Sequence, residues 1–210
     1  MVRVVTIERE FGSGGAKIAK LLADKLGWKL WDQLLTSEIA RHAQCDRSEV
    51  ERREERMDPL YYRLLKSFLR GSFEGSLNVH RLKLLDADRI FRLTERIVGE
   101  AADAGNCVIV GRGSCFFLAN RTDVFHVFLY APYEEKIRRL VESGTDRAEA
   151  ARLVDTVDQE RADFIKKYFD KVWPCRSLYN LMINSQIGDE AVVQTILDGI
   201  ATLQKRAEVR

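Results

Sequence analysis

The length and composition of the chain indicate one ordinary folded domain and exclude several classes of protein. Its 210 residues are enough for one domain with a hydrophobic core, and an apolar share of 46% argues against disorder. Thirty-four basic and thirty-two acidic residues leave a net charge of +2, so no overall charge attracts nucleic acid or a membrane surface. The sequence shows no signal peptide and no run of eighteen apolar residues. We therefore expect a cytoplasmic protein with no nucleic-acid or membrane partner.

The opening of the chain predicts a strand, a glycine-rich turn, a helix and a second strand. Val2 to Ile7 is a short β-branched run, and the apolar spacing from Lys17 to Leu26 is typical of a helix. The turn between them is rich in glycine. Trp28 to Trp31 predicts the second strand, which ends at Asp32.

The rest of the chain predicts a helical region followed by alternating helices and strands. Residues 34 to 93 are polar and helical in pattern, which indicates an inserted helical region. Strands are predicted over Cys107 to Val110, Val124 to Tyr130 and Leu181 to Asn184, and helices over Leu93 to Ala104, Glu134 to Glu142, Arg147 to Lys167 and Glu190 to Leu203. This alternation implies an α/β fold with a parallel sheet of about five strands.

The glycine-rich turn predicts a phosphate site. Its glycines let the backbone take positive φ and turn N–H groups inward, and the positive end of the following helix dipole points to the same spot. Ligands of an open parallel sheet lie beyond the carboxyl ends of its strands, where Asp32 and the run Gly111 to Gly113 also fall. A tight turn without a ligand is the alternative. We predict that the following residues bind nucleotide phosphate: Gly12, Ser13, Gly14, Gly15, Ala16 and Lys17.

Five segments together resemble the cytidylate kinase-like proteins, a branch of the P-loop nucleoside monophosphate kinases. They are Val5 to Asp32, Val108 to Gly113 (VIVGRG), Val124 to Pro132 (VFHVFLYAP), Asp158 to Phe169 (DQERADFIKKYF) and Tyr179 to Ser185 (YNLMINS). The resemblance implies a single three-layer P-loop kinase domain over residues 1 to 210. Its core would be residues 1 to 33, 94 to 143 and 173 to 210, with a helical monophosphate-binding insert at 34 to 93 and a lid at 144 to 172.

The same resemblance implies an activity and its substrates. The chain would be an ATP-dependent phosphotransferase that uses Mg²⁺ and acts on small nucleotides, with CMP or dCMP as the first acceptor to try. Cytidylate kinases hold the monophosphate with the arginine of a GRD segment, which Arg112 resembles, while Gly113 replaces the aspartate. We therefore predict acceptor binding by Gly111 and Arg112, with a structural salt bridge as the alternative role of Arg112. Asp32 is predicted to accept from a sugar hydroxyl or to orient an arginine, and a helix N-cap is its alternative.

One departure from the Walker A pattern GxxxxGK[ST] concerns the phosphate cation. Gly15 stands where the lysine belongs, and Ala16 where a hydroxyl would meet magnesium. We expect Arg9, Lys17 or a lid arginine, with Arg161 as the best lid candidate, to supply the missing charge during catalysis. The alternative for Arg9 is a surface ion pair, and the alternative for Lys17 and Arg161 is a solvated position on a helix. No cluster of carboxylates predicts a metal site, and Ser13 is the protein group that we expect near magnesium.

Two other classes of function fit parts of the sequence. A nucleotide-binding regulator or pseudo-kinase that lacks transfer would account for the missing lysine. A protein-interaction module would use the charged helical stretch Asp46 to Arg70. The aromatic and leucine side chains of Leu60 to Phe73 either pack within the domain or form a homodimer contact, and periodicity does not separate these two arrangements.

Overall fold

Five parallel strands form one sheet. A computed structural model describes residues 1–32, 34, 35, 38 and 87–208. Its strands are β1 (Val4–Arg9), β2 (Lys29–Trp31), β3 (Cys107–Val110), β4 (Val124–Tyr130) and β5 (Leu181–Asn184). They lie in the order β2-β3-β1-β4-β5, and each neighbouring pair is parallel. The predicted α/β fold with a five-stranded parallel sheet is confirmed.

Helices connect the strands and cover both faces of the sheet. Within the described ranges they are α1 (Gly15–Leu26), α2 (Ala87–Ala104), α3 (Ser114–Phe117), α4 (Tyr133–Glu142), α5 (Arg147–Phe169) and α6 (Asp189–Glu208), with 3₁₀ helices at Arg176–Leu178 and Ser185–Ile187. The α1 helix ends at Gly27, whose φ of 64° is the left-handed conformation expected of a C-terminal glycine. None of these helices combines the length and the apolar character that crossing a membrane requires.

The two faces of the sheet carry separate apolar clusters. Val5 and Ile7 of β1 pack on one face against α1 and α6. Val4 and Ile109 pack on the other face against α2 and the end of α5. A third cluster, which includes Phe11, joins α4 to α5. The result is a three-layer arrangement. Strand β1 is the central strand of the five, so its carboxyl end lies at the middle of the row formed by the carboxyl ends of the strands.

The first strand lies two residues further along the chain than the sequence predicted. Val2 to Ile7 was expected, but β1 begins at Val4 and continues through Glu8 and Arg9, which pair with Phe128 and Leu129 of β4. Charged residues seldom lie in a buried strand, so the composition alone ended the prediction too early. The continued pairing carries both charged side chains into the interior, where Glu8 is 4% and Arg9 6% exposed.

The other departures concern helix boundaries. The α2 helix begins at Ala87 rather than at Leu93, because Ile90 is buried and extends the apolar face by two turns. The short helix α3 was not predicted. Most of the predicted insert, including Asp46 to Arg70 and Leu60 to Phe73, lies outside the described residues.

His126 is a packed histidine in the middle of the sheet. It lies in β4, is 5% exposed, and its Nδ1 is 2.7 Å from the Thr6 hydroxyl oxygen of the neighbouring strand. Burial lowers the pKa of His126 to about 4, because the charged imidazolium would lose its hydration. The folded protein therefore holds this ring neutral.

We expect this histidine to make stability depend on pH. Its folded pKa lies below the ordinary value of 6.5, so its contribution is complete above pH 6.5 and is lost as the pH falls to about 4. The full loss is roughly 3 kcal/mol of unfolding free energy. His126→Asn removes the titration, so urea unfolding from pH 7 to pH 4 should show a shallower decline than in the wild type. Parallel declines for the two proteins would contradict this account.

Candidate functional site

The turn between β1 and α1 has the backbone shape of a phosphate loop. Gly12 and Gly14 both have φ of 77°, a conformation that other residues adopt only at a cost. A Cβ on Gly12 would lie 2.9 Å from the Cβ of Lys136, so α4 packs directly against the turn. Gly14 precedes α1 without any side-chain cap, which leaves the first backbone N–H groups of the helix for another partner. The turn forms one wall of a cavity of about 780 Å³.

Ser13 is turned into the protein rather than towards the cavity. The residue is fully buried, and its hydroxyl donates to the Glu10 carbonyl oxygen at 2.8 Å. Among the described residues, no group of three histidine, cysteine or acidic side chains could hold a metal ion. The site therefore fits magnesium only if most of its ligands come with the nucleotide phosphates and water. A role for Ser13 near the metal stays a prediction.

Arg9 lies beneath the turn and reaches the end of β3. A Cβ on Gly15 would be 2.7 Å from the Arg9 Cγ, and a Cβ on Gly111 would clash with the Arg9 Nη1. The arginine stem thus passes Gly15, and its head lies against Gly111. Burial lowers the pKa of Arg9 to about 10, with Arg161 adding to the effect and Asp32 opposing it, so the side chain is charged at pH 7.

The ends of β2 and β3 contribute an aspartate and an arginine to the same buried region. Asp32 and Arg112 are each 5% exposed. Burial lowers the pKa of Arg112 to about 9, and the nearby Asp32 carboxylate opposes the shift. Gly111, Arg112 and Gly113 have φ values of 63°, 62° and 67°. An arginine in the left-handed backbone conformation costs of order 1 kcal/mol, whereas the two flanking glycines adopt this conformation without that cost.

Arg161 and Asp158 of α5 fix the turn from the other side. The Arg161 Nη1 donates to the Arg9 carbonyl oxygen at 2.8 Å and lies 2.9 Å from the Asp158 Oδ1. The same Asp158 oxygen accepts from the Phe11 backbone N–H at 2.8 Å. Burial raises the pKa of Asp158, against the attraction of Arg161. Arg161, predicted as a cation that moves onto the phosphoryl group, here holds the end of β1.

Lys17 and Arg139 meet at the entrance to α6. The exposed Lys17 lies with its Nζ 2.8 Å from the Asp189 Oδ2, and the Arg139 Nη1 is 2.9 Å from the other oxygen of Asp189. Arg139 also donates to the Ser185 carbonyl oxygen at 3.0 Å, and its head stands against Gly14. All of these residues except Ser185 line the cavity beside the turn.

Two residues of α4 were missed in the sequence analysis. Arg139 packs against Gly14, and the Lys136 Nζ lies 2.6 Å from the Glu10 Oε2. Both belong to a charged amphipathic helix, a pattern typical of a solvated surface. The signal that identifies them is the strand order, since β4 lies next to β1 and the helix after β4 must therefore begin beside the turn after β1.

A family model and several solved structures are similar to this chain. A model of the cytidylate kinase-like family matches residues 4–187. A solved structure of an uncharacterized protein from Eubacterium ventriosum ATCC 27560 matches with a TM-score of 0.68 at 19% identity, over 96% of this chain and 99% of that one. Shikimate kinase from Bacteroides thetaiotaomicron matches with a TM-score of 0.54 at 17% identity, over 96% and 99% of the two chains. Shikimate kinase from Acinetobacter baumannii in complex with shikimate gives 0.52 at 19%, over 96% and 94%.

These comparisons agree with the three-layer P-loop kinase architecture predicted from the sequence. The two shikimate kinases share the fold over nearly their whole lengths. A comparison with curated protein sequences gave no match.

We expect Asp158 to be important for stability as well as for the shape of the turn. Asp158→Ala would leave the Phe11 N–H without its acceptor and Arg161 without its carboxylate, a loss of about 2 to 4 kcal/mol. Asp163→Ala, on the same helix, removes an exposed contact with Gln159 and should cost less than about 0.5 kcal/mol. Urea unfolding of the two variants measures the difference. Equal losses would show that Asp158 does not support the turn.

Proposed function

We propose that this chain, which belongs to the cytidylate kinase-like family, transfers the γ-phosphoryl group of ATP to a nucleoside monophosphate or a similar small acceptor. CMP and dCMP are the first acceptors to test. The observation that carries the proposal is the glycine turn before α1, where two glycines with positive φ and an uncapped helix N-terminus form a phosphate site. Arg9 runs from this turn to Gly111. A donor phosphate on the turn and an acceptor beside Arg112 would both face its guanidinium. A cytoplasmic location, where ATP is available, is part of this proposal.

The donor would bind at the turn. Positive φ at Gly12 and Gly14 and the uncapped start of α1 direct backbone N–H groups at one place, which is the usual protein environment of a phosphate. Lys17 and Arg139 add two cations at the same end of the helix. The cavity continues past these side chains to Gly188, which leaves room for the rest of a nucleotide.

The acceptor would bind at the ends of β2 and β3. Arg112 supplies a planar guanidinium suited to a phosphate or carboxylate group, and Asp32 an acceptor for a hydroxyl. Gly113 stands where cytidylate kinases have the aspartate of their GRD segment, so the proposal does not specify which nucleobase the acceptor carries. A Cβ at Gly113 would lie 3.0 Å from the Phe169 ring, so an aspartate would not fit without movement of that ring. Hydroxyl acceptors therefore belong in the test beside the monophosphates.

Phosphoryl transfer requires that the reactants be positioned and that negative charge be neutralised, and it does not require a covalent intermediate. The buried guanidinium groups of Arg9 and Arg112 would hold the two reactants in line and balance the charge that develops on the transferring oxygens. Asp32 would accept a hydrogen bond from a hydroxyl of the acceptor or orient an arginine. When bound with ATP, Mg²⁺ supplies further neutralisation of the β- and γ-phosphates.

The direct test is a coupled assay of ADP release with MgATP and a panel of acceptors. The panel holds CMP, dCMP, UMP, AMP and shikimate, the last as a hydroxyl acceptor. Acceptor-dependent ADP release supports the proposal and identifies the substrate class. Saturable ATP binding without turnover of any acceptor would contradict it and favour the regulator or pseudo-kinase instead.

We expect Arg139 to affect ATP binding more than its neighbour Arg138 does. Arg139→Ala removes the cation that packs against Gly14, so the dissociation constant for ATP should rise roughly tenfold, as expected for one charged hydrogen bond. Arg138 also lines the cavity, but the contacts described pair it with Glu135 and Glu142 of its own helix and not with the turn, so Arg138→Ala should change affinity less than about twofold. Titration calorimetry with MgATP compares them. Equal affinities would remove Arg139 from the proposed donor site.

A further inference from the structure

The phosphate loop shows an exchange of two residues relative to the Walker A pattern. In GxxxxGK the first position is glycine and the seventh is lysine, whereas residues 9 to 15 of this chain read REFGSGG. The cation and the glycine have traded places. We infer that Arg9 is the phosphate-binding cation of this loop and that Gly15 is glycine because the arginine stem occupies the space of a side chain at that position. This inference rests on the proposed function.

The steric part of the exchange follows from the contacts of Gly15. A Cβ there would lie 2.7 Å from the Arg9 Cγ, 3.1 Å from its Cβ and 3.4 Å from its Cδ. These three atoms are the root of the arginine, and the pairing of Arg9 with Leu129 of β4 fixes the backbone that carries them. Gly15 does not have a positive φ, so backbone conformation does not require glycine at this first residue of α1. The space taken by Arg9 does.

The electrostatic part follows from the position of the arginine head. Arg9 is 6% exposed, lines the cavity beside the turn, and its head touches the place where a Cβ of Gly111 would stand. The charged groups around it come from four elements: Glu8 on β1, Asp32 after β2, Arg112 after β3, and Asp158 and Arg161 on α5. The stem passes Gly15 of the turn and the head lies at Gly111, so a cation held there stands between the donor and acceptor ends of the site. Its fork of donors suits phosphate oxygens.

A purely structural role for Arg9 is the competing account. In that case the guanidinium would serve to neutralise the buried carboxylates, and nucleotide affinity would not follow its charge. The two accounts predict different results for a variant that lacks Arg9 and carries a lysine at residue 15. Only the phosphate-binding account predicts that this lysine restores affinity for ATP.

The shared space can be tested without any activity. Wild type, Arg9→Ala, Gly15→Ala and the double variant form a thermal unfolding cycle. Gly15→Ala should lower the Tm of the wild type by roughly 3 to 8 °C through overpacking. In the Arg9→Ala background the same change should raise the Tm by about 1 to 3 °C, since alanine favours a helix over glycine. The same sign in both backgrounds would overturn the steric exchange.

The cation is tested by calorimetric titration with MgATP. Arg9→Met keeps the stem and removes the charge, so affinity should fall roughly ten- to a hundredfold. Arg9→Ala combined with Gly15→Lys restores the Walker lysine and should bind MgATP at least about threefold more tightly than Arg9→Met does. Lys20→Ala, an exposed residue of α1 paired with Asp24, is the control and should bind as the wild type does.

The outcomes separate this inference from the proposed function. If the wild type and Arg9→Met bind ATP equally well, the assignment of Arg9 is wrong while the proposed function stands. A double variant that binds no more tightly than Arg9→Met also overturns the assignment. If the wild type does not bind ATP, both fail.

Discussion

The double pairing of β1 is the constraint on which the site depends. Because β1 lies between β3 and β4 and its ladder with β4 continues through Arg9, the strand carries Glu8 and Arg9 into the interior. A buried charge costs several kcal/mol unless opposite charges and hydrogen bonds compensate it. Asp32 and Arg161 converge on this point from neighbouring elements, where burial also raises the pKa of Glu8 against the attraction of Arg9. The site is thus a buried ionic cluster with the glycine turn above it.

The sequence predicted the scaffold more fully than the site. Strands such as Cys107–Val110 and Val124–Tyr130 were predicted with their correct bounds. A short run of apolar and β-branched residues that ends at glycine or proline usually forms a buried strand. Positive φ was predicted for three glycines of the turn, and Gly12 and Gly14 have it, whereas Gly15 is the first helical residue of α1 and does not. The direction of Arg9 could not be predicted, because it depends on how far β1 pairs with β4. Arg139 was missed for a similar reason, since its contact with Gly14 exists only through the strand order.

In the turn after β3, the backbone conformation of three residues fixes the position of Arg112. Three successive left-handed residues, with glycines before and after Arg112, turn the chain back on itself at the sheet edge. Such a conformation is retained only when its surroundings determine it. Here the head of Arg9 against Gly111 and the Phe169 ring against Gly113 close both ends of the turn. The orientation of Arg112 therefore depends on β1 and on α5 together.

The contact between Gly113 and Phe169 limits the side chains that residue 113 can hold. An aspartate there would place its Cβ 3.0 Å from the ring, so the ring must shift by a few tenths of an ångström, and the aspartate would have to adopt the strained φ of 67°. Phe169 in turn stacks on Phe116, so its displacement disturbs a second ring. A side chain at residue 113 therefore disturbs two aromatic rings, one at the end of α5 and one in α3, so the turn after β3 and the aromatic packing beside it are coupled.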